Sequence, residues 1–205
     1  MTPDSVDAIL MAAGFSRRFG KENKLLVPFR GKPLARYTLE VVSSLPCFNR
    51  VFFVAAEAGV ISLARNLPVR VIQNDQAEQG QRESIRLGVT ASDAAHYMFF
   101  PCDQPFLDGE TIRQLLALRR RGRIVQPAYQ GVPSTPAIFS AVFREELLSL
   151  APGEHPRDIK GRHRSAVTTL ELSSPLPLLD IDDPVMLEKM QTPDSEEYNP
   201  GVVFQ

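Results

Sequence analysis

The chain is poor in the features that would mark it as secreted, membrane-spanning or nucleic-acid-binding. Its 205 residues include two cysteines, Cys47 and Cys102, too few for a disulfide framework or a cysteine zinc site. Neither sign of charge prevails: 23 lysines and arginines stand against 24 aspartates and glutamates. No global field therefore draws in nucleic acid or an anionic membrane. No apolar run reaches the ~20 residues that a membrane span requires. Asp4 and Asp7 stand where a signal peptide would carry a basic region and then a long apolar stretch. Internal repeats and low-complexity segments are missing as well. A soluble, cytoplasmic protein is expected, and the length suits one well-buried domain better than two. That domain is expected over residues 1–190, with a polar tail over 191–205 in which Val202, Val203 and Phe204 could dock.

What is present is an alternation of strands and helices. Val6 to Met11 reads as a buried strand, and Pro33 suits the first turn of a helix running to Val42. Arg50 to Ala55, Val69 to Gln73 and His96 to Pro101 read as further strands. A short helix near Val60 to Arg65 and another over Gln81 to Ser92 separate them. Asp108 is placed to cap a helix over Glu110 to Arg121, with Ile112, Leu115, Leu116 and Leu118 as its apolar face. The basic cluster Arg119 to Arg123 falls where that helix would end at Gly122, so the helix dipole accounts for it. The fold class expected is α/β: a single domain with a mostly parallel sheet and helices on both faces. In such a sheet, ligands sit at the carboxyl ends of the strands.

The first strand runs into Met11-Ala12-Ala13-Gly14-Phe15-Ser16-Arg17-Arg18-Phe19-Gly20, with Lys24 soon after. Small residues let a polyanion approach backbone N–H groups, and the basic side chains neutralise it. This is the composition of a phosphate-binding loop. It is not the dinucleotide fingerprint, because Ser16 stands at the second glycine. Nor is it a Walker loop, because five residues separate Gly14 from Gly20 and Glu22 follows Lys21.

The loop resembles the signature L-A-[AG]-G-x-S-x-R-[MF]-G-x-x-K of the molybdenum cofactor nucleotidyltransferases. Gly14, Ser16, Arg18, Phe19, Gly20 and Lys24 match in order, with one extra residue before the lysine and Met11 in place of leucine. The resemblance implies a Rossmann-like nucleotidyltransferase fold over most of residues 6–190. It also implies that Met11, Ala12, Ala13, Gly14, Ser16, Arg18 and Lys24 hold a nucleoside triphosphate, with Arg18 and Lys24 catalytic.

Phe99-Phe100-Pro101-Cys102-Asp103-Gln104-Pro105-Phe106 ends the fourth strand with an aspartate set between prolines. There it could hold a hard cation against a phosphate, since Mg²⁺ favours one or two carboxylates plus phosphate oxygens. An Asx-type turn would use the same residue without metal. The segment looks like the family's G-D-x-P-[LF] metal motif, which implies a catalytic, magnesium-binding Asp103 and a small buried role for Cys102. Asp180-Ile181-Asp182-Asp183-Pro184 resembles D-[IV]-[DN]-T-P. Alternation along a strand would put Asp180 and Asp182 on one side. Asp182 would be the second metal carboxylate by resemblance, while Asp183 is better placed as a helix cap. Gly80 and Ser84, in Gln79-Gly80-Gln81-Arg82-Glu83-Ser84-Ile85, look like the family's base- and ribose-holding segment. Asn74 and Asp75 end the third strand nearby and are candidates for ribose or base contact. An ordinary helix start accounts for the same glycine and serine.

The resemblance thins on the acceptor side. The family's R-G-[NH]-P stands here as Val132-Pro133-Ser134-Thr135-Pro136, and its G-D-x-G-x-R as Gly153-Glu154-His155-Pro156-Arg157. Arg157, Arg162, His163 and Arg164 could bind an acceptor phosphate or form a solvated basic helix. The reaction implied is magnesium-dependent transfer of a nucleoside monophosphate to a phosphorylated acceptor, molybdopterin by resemblance, with pyrophosphate released. A molybdoenzyme or maturation chaperone is a further implied partner. Ala13 leans the nucleotide toward CTP over GTP, because cytidylyl-transferring relatives tend to carry A-A-G at this point. A sugar-phosphate nucleotidyltransferase and a non-catalytic cofactor-binding module are the alternatives.

Overall fold

The computed structural model describes residues 4–14, 19–20 and 22–191. Chain order runs β1 (Val6–Ala12), β2 (Pro28–Phe29), β3 (Lys32–Pro33), α1 (Leu34–Ser44), β4 (Arg50–Ala55), α2 (Ala58–Ser62), β5 (Arg70–Gln73) and α3 (Gln81–Ala91). It continues through β6 (His96–Pro101), α4 (Gly109–Ala117), β7 (Ile124–Tyr129), β8 (Val132–Pro133), β9 (Ala137–Ser140), α5 (Arg144–Leu148), α6 (Pro156–Arg162), β10 (Val167–Glu171) and α7 (Pro184–Lys189). The main sheet has the order β10-β7-β9-β6-β1-β4-β5, with β8 paired to β7, and β2 and β3 form a separate hairpin. β1, β4, β5 and β6 are parallel neighbours, as are β7 and β10, while β9 runs antiparallel between β6 and β7. The α/β architecture with a mostly parallel sheet is thus the one the alternation implied.

Period-two patterning divides the core between the two faces. Ala8, Leu10, Val51, Phe53, Met98 and Phe100 pack on one side against Ala35, Leu39 and Val42 of α1, Val60 of α2 and Ile112, Leu115 and Leu116 of α4. Their sequence neighbours Ile9, Phe52, Val54, Tyr97 and Phe99 pack on the other side against Ile85 and Val89 of α3, Leu147 of α5 and Ile159 of α6. Strands covered by helices on both faces carry apolar residues at nearly every position, as these do. A third, smaller core joins Phe29 and Leu34 to Leu179, Ile181, Leu187 and Met190. It ties the hairpin and the start of α1 to the C-terminal segment. Among the described residues no helix is long and apolar enough to cross a membrane.

Beyond shifts of a few residues at α1 and α2, where Pro33 pairs in the β2–β3 hairpin and flanks α1 instead of opening it, the boundaries differ from expectation in two places. α4 stops at Ala117, before Arg121, because Leu118 closes the helix and the chain turns through Gly122 at φ +73°. The arginines still serve the helix end: Arg119 donates to the Leu116 carbonyl and Arg120 to that of Ala117. The second difference is at Asp180 to Asp183, which is extended chain and not a strand of either sheet. Its attachment to the sheet is a hydrogen bond from Ile181 N to the Asp103 carbonyl, at 2.9 Å. Most of the expected tail, residues 192–205, lies outside the described residues.

Gly88 sets how closely α3 approaches β1. A Cβ added there would lie 2.5 Å from Ile9 Cγ2, and Ile9 is fully buried. Gly88→Ala should therefore destabilise the fold, although alanine is the better helix former by ~1 kcal/mol. Overpacking of about 1–3 kcal/mol exceeds that gain. The urea midpoint should fall with an unchanged m-value; an equal or higher midpoint would show that α3 can shift freely on the sheet.

Candidate functional site

The chain passes outward from β1 through β4 to β5, then returns through α3 to β6 on the other side of β1. The reversal leaves a crevice at the carboxyl ends of β1 and β6, the usual ligand position in an open α/β sheet. A cleft of about 270 Å³ occupies it, lined by Met11, Ala13, Gly14, Lys24, Leu25, Ala77, Gly80, Gln81, Ser84, Pro101, Cys102 and Asp103. Met11 and Pro101 are register partners across β1 and β6 and form its floor. Among the described residues no atom lies within 4 Å of where a Cβ on Gly14 would stand.

On the opposite wall, Gly80 takes φ +80° and turns the chain from a 3-10 turn, Ala77–Gln79, into α3. That positive φ favours glycine. α3 carries no side-chain cap, so its first N–H groups are left for solvent or a ligand. Ser84 lies one turn in, and its hydroxyl accepts from Asn74 Nδ2 at 3.1 Å.

Lys24 dominates the electrostatics. It opens a 3-10 turn, Lys24–Leu26, that Asn23 caps by accepting from Leu25 N, while Leu25 is buried in the core. The turn aims the Lys24 ammonium at Asp103 Oδ2 (2.6 Å), Asp182 Oδ1 (3.1 Å) and the Ile181 carbonyl (3.2 Å). Burial alone would lower the lysine pKa, but Asp103 and Asp182 outweigh it and the net shift is upward. The other oxygen of Asp103, Oδ1, is buried and has no hydrogen-bond partner among the described residues, and the same holds for Asp180 Oδ1. Asp180 titrates at about 7: burial is the main cause, the Asp103 and Asp182 charges add to it, and Gln104 and Lys24 oppose it. Cys102 is buried and its thiol pKa is pushed well up by desolvation, which suits a small wall residue and not a nucleophile.

These residues fit a hard cation. Buried polar atoms in native proteins nearly always have a partner, and the orphaned Asp103 oxygen has none among the described residues. Among those residues no three or more His, Cys, Asp or Glu side chains surround a common metal position.

The cleft gathers Met11, Ala13, Gly14, Lys24, Gly80, Ser84 and Asp103 from the sequence candidates, with Asp182 joined to them through Lys24. Ala12 faces the core instead. Asn74 is buried behind Ser84, and Asp75 is bonded to Gln73 Nε2; neither lines the cleft. Ser16 and Arg18 lie outside the described residues. Asp103 has no basic neighbour in sequence, yet it is ion-paired, by a lysine 79 positions away. On the acceptor side, Arg162 pairs with Glu146 and Glu154, and His163 with Glu146. Sequence reasoning passed over Leu25, Ala77 and Gln81 as wall residues. Gln81 adjoins Gly80 and Ala77 stands three positions before it, and that proximity was the available signal.

Residues 8–167 match the family described as MobA-like NTP transferase domain. A nicotine blue oxidoreductase from Paenarthrobacter nicotinovorans is 30% identical over 158 residues, 73% of this chain and 78% of the relative. A molybdenum cofactor cytidylyltransferase from Escherichia coli (strain K12) is 25% identical over 189 residues, 88% and 92% of the two chains. A molybdenum cofactor guanylyltransferase from Ectopseudomonas mendocina (strain ymp) is 26% identical over 133 residues, 62% and 65%. Among solved structures, a nucleotidyl transferase from Methanothermobacter thermautotroptrophicus shares the fold with a TM-score of 0.79 at 20% identity, covering 92% of this chain and 96% of that one.

The raised Asp180 pKa fixes a direction for the pH dependence of stability. The unfolded chain loses this proton near pH 4 and the folded one near 7. Between those values the native state binds more protons, so this group's contribution to stability falls as pH rises. Asp180→Asn should remove that slope: melting curves from pH 5 to 8 should show the variant gaining on the wild type. Parallel curves would mean that Asp180 ionises normally.

Proposed function

The chain belongs to the MobA-like NTP transferase domain family, the nucleotidyltransferases, and on that premise we propose that it transfers CMP from CTP to molybdopterin. The observation that carries the reading is the Lys24–Asp103–Asp182 group on the wall of a glycine-edged cleft at the switch point of the sheet. A pocket for a neutral ligand has no use for a cation held between carboxylates, beside a buried carboxylate oxygen without a donor among the described residues. A polyphosphate with its metal uses all of them.

In this reading the triphosphate lies along the loop 12–20 and against the N-terminus of α3, whose uncapped N–H groups and dipole favour an anion. Ala13, Met11 and Pro101 form the apolar floor for the base, and Gly80 lets it approach the backbone. Lys24 and Arg18 offset the charge that develops on the leaving pyrophosphate. The acceptor's phosphate monoester is already a competent nucleophile, so its oxygen attacks the α-phosphorus without a general base. The bond from that phosphorus to the α–β bridging oxygen breaks, and its electron pair leaves with pyrophosphate. Asp103, with Asp182, would hold a magnesium ion, which when bound neutralises the α-phosphate and makes it more electrophilic. The chain's own share is alignment of the two phosphates and exclusion of water, as in phosphoryl transfer generally.

A second reading draws on the relative named as an oxidoreductase, since one fold hosts many chemistries. The departures at Thr135 and Pro156 on the acceptor side leave room for a different second substrate. Under that reading, a redox cofactor would turn over with no pyrophosphate formed.

Two measurements test the proposal. In a panel of the four triphosphates with Mg²⁺, CTP should raise the melting temperature most and should yield pyrophosphate when molybdopterin is added. A larger rise with GTP would overturn the argument from Ala13, and pyrophosphate from neither would overturn nucleotidyl transfer. Asp103→Asn keeps shape and loses charge; turnover should fall about a hundredfold or more while the CTP-induced melting shift largely survives. If the variant loses the fold but keeps the specific activity of its folded fraction, Asp103 is a turn residue and not a metal ligand.

A further inference from the structure

Gln104 follows Asp103 directly and is wholly buried, yet neither the loop motif nor the carboxylates explain it. Its side-chain nitrogen lies 2.9 Å from Thr135 Oγ1, 3.3 Å from the Thr135 carbonyl and 3.3 Å from the Leu178 carbonyl. Its backbone carbonyl accepts from Thr38 Oγ1 of α1 at 3.0 Å, which fixes the strand end from the opposite side. One side-chain amide just past the end of β6 therefore touches two separate stretches, the β8–β9 connection at Thr135 and the 3-10 turn Leu176–Leu178 that leads into the segment carrying Asp180 and Asp182.

Those contacts explain the departure at Thr135. The position corresponding to the acceptor motif's asparagine or histidine carries a hydroxyl that accepts from Gln104, and so the residue acts toward the interior. Its side-chain oxygen is buried with no partner among the described residues, so the nitrogen end alone ties Gln104 to its neighbours, and burying that end is costly unless those contacts are kept. The segment on the far side is otherwise attached to the sheet end through Ile181 N and the Asp103 carbonyl.

We propose that Gln104 is a positioning residue: it locks the acceptor-side connection at Thr135 to the Asp103 strand end and to the segment presenting Asp182. It acts through those carboxylates and touches no substrate. Its kinetic consequence rests on the nucleotidyl-transfer reading; its structural consequence does not.

The experiment compares Gln104→Leu, Thr135→Val and the double variant in the full chain. Amide hydrogen exchange at Ile181 reports the attachment of the carboxylate segment. It should quicken about tenfold or more in Gln104→Leu and less in Thr135→Val, with the double variant no faster than Gln104→Leu, since the pair acts as a unit. With Mg²⁺, CTP and molybdopterin, kcat should fall by at least about tenfold in Gln104→Leu while the KM for CTP stays within about twofold. Unchanged Ile181 exchange in folded Gln104→Leu overturns the inference. So does a kcat that falls only in step with loss of CTP affinity and melting temperature, which would mark a general fold role. If Gln104→Leu does not fold, Thr135→Val decides by the same two readouts. If the wild type forms no pyrophosphate, the functional reading fails and Ile181 exchange alone decides the role of Gln104.

Discussion

The ammonium of Lys24 binds together parts of the chain that are far apart in sequence. Asp103 lies 79 positions away and Asp182 158 positions away, and both accept from the same nitrogen. Burial pushes the Asp180 carboxyl upward, and the charges of Asp103 and Asp182 close by add to that shift. A cation among them is needed for the loop after β1, the end of β6 and the C-terminal segment to converge. The pair of Lys24 and Asp103 is largely shielded, each side chain 17% exposed, so it is less screened than a surface bridge.

The surrounding structure serves that convergence. The sheet supplies two strand ends in register, Met11 beside Pro101, and the close approach of α3 at Gly88 brings the helix N-terminus to the same edge. The third core holds the other two contributors. Phe29 and Leu34 anchor the segment after Lys24, and Leu179, Ile181 and Leu187 anchor the segment around Asp182 in the same apolar cluster. Asp183 caps α7 by accepting from Met186 N, which ends the extended run directly after Asp182. Apolar burial thus sets the positions of charges that would otherwise separate into solvent.

Family membership and chemistry are separable here. Relatives in the same family range include one named for oxidation and others named for cytidylyl and guanylyl transfer. Gly14, Lys24 and Asp103 line the cleft at the ends of β1 and β6. The sequence departs from the motif on the β8–β9 connection and at the start of α6. The ion pairs of Arg162 and His163 with Glu146 and Glu154 show these basic residues engaged within the chain.

Much of this was legible without coordinates. Alternating apolar strands and capped helices defined the α/β class, since a strand buried on both faces and an amphipathic helix leave different periods. Arg50 to Ala55 and His96 to Pro101 have the expected ends, and Asp108 and Asp183 cap the helices that follow them. The glycine loop and Asp103 stood out because each is a local pattern with its own chemistry. What no local pattern could supply was pairing. Asp103 has no cation near it in sequence, and Asn74 looked like a ligand contact until its amide was found on Ser84, behind the wall. Asp180 and Asp182 alternate like strand residues, but no neighbour pairs with that segment as a ladder, so it stays extended outside the sheet. Gln104 carries no motif at all. Its role arises from three segments meeting around one amide, and only the packed chain brings them there.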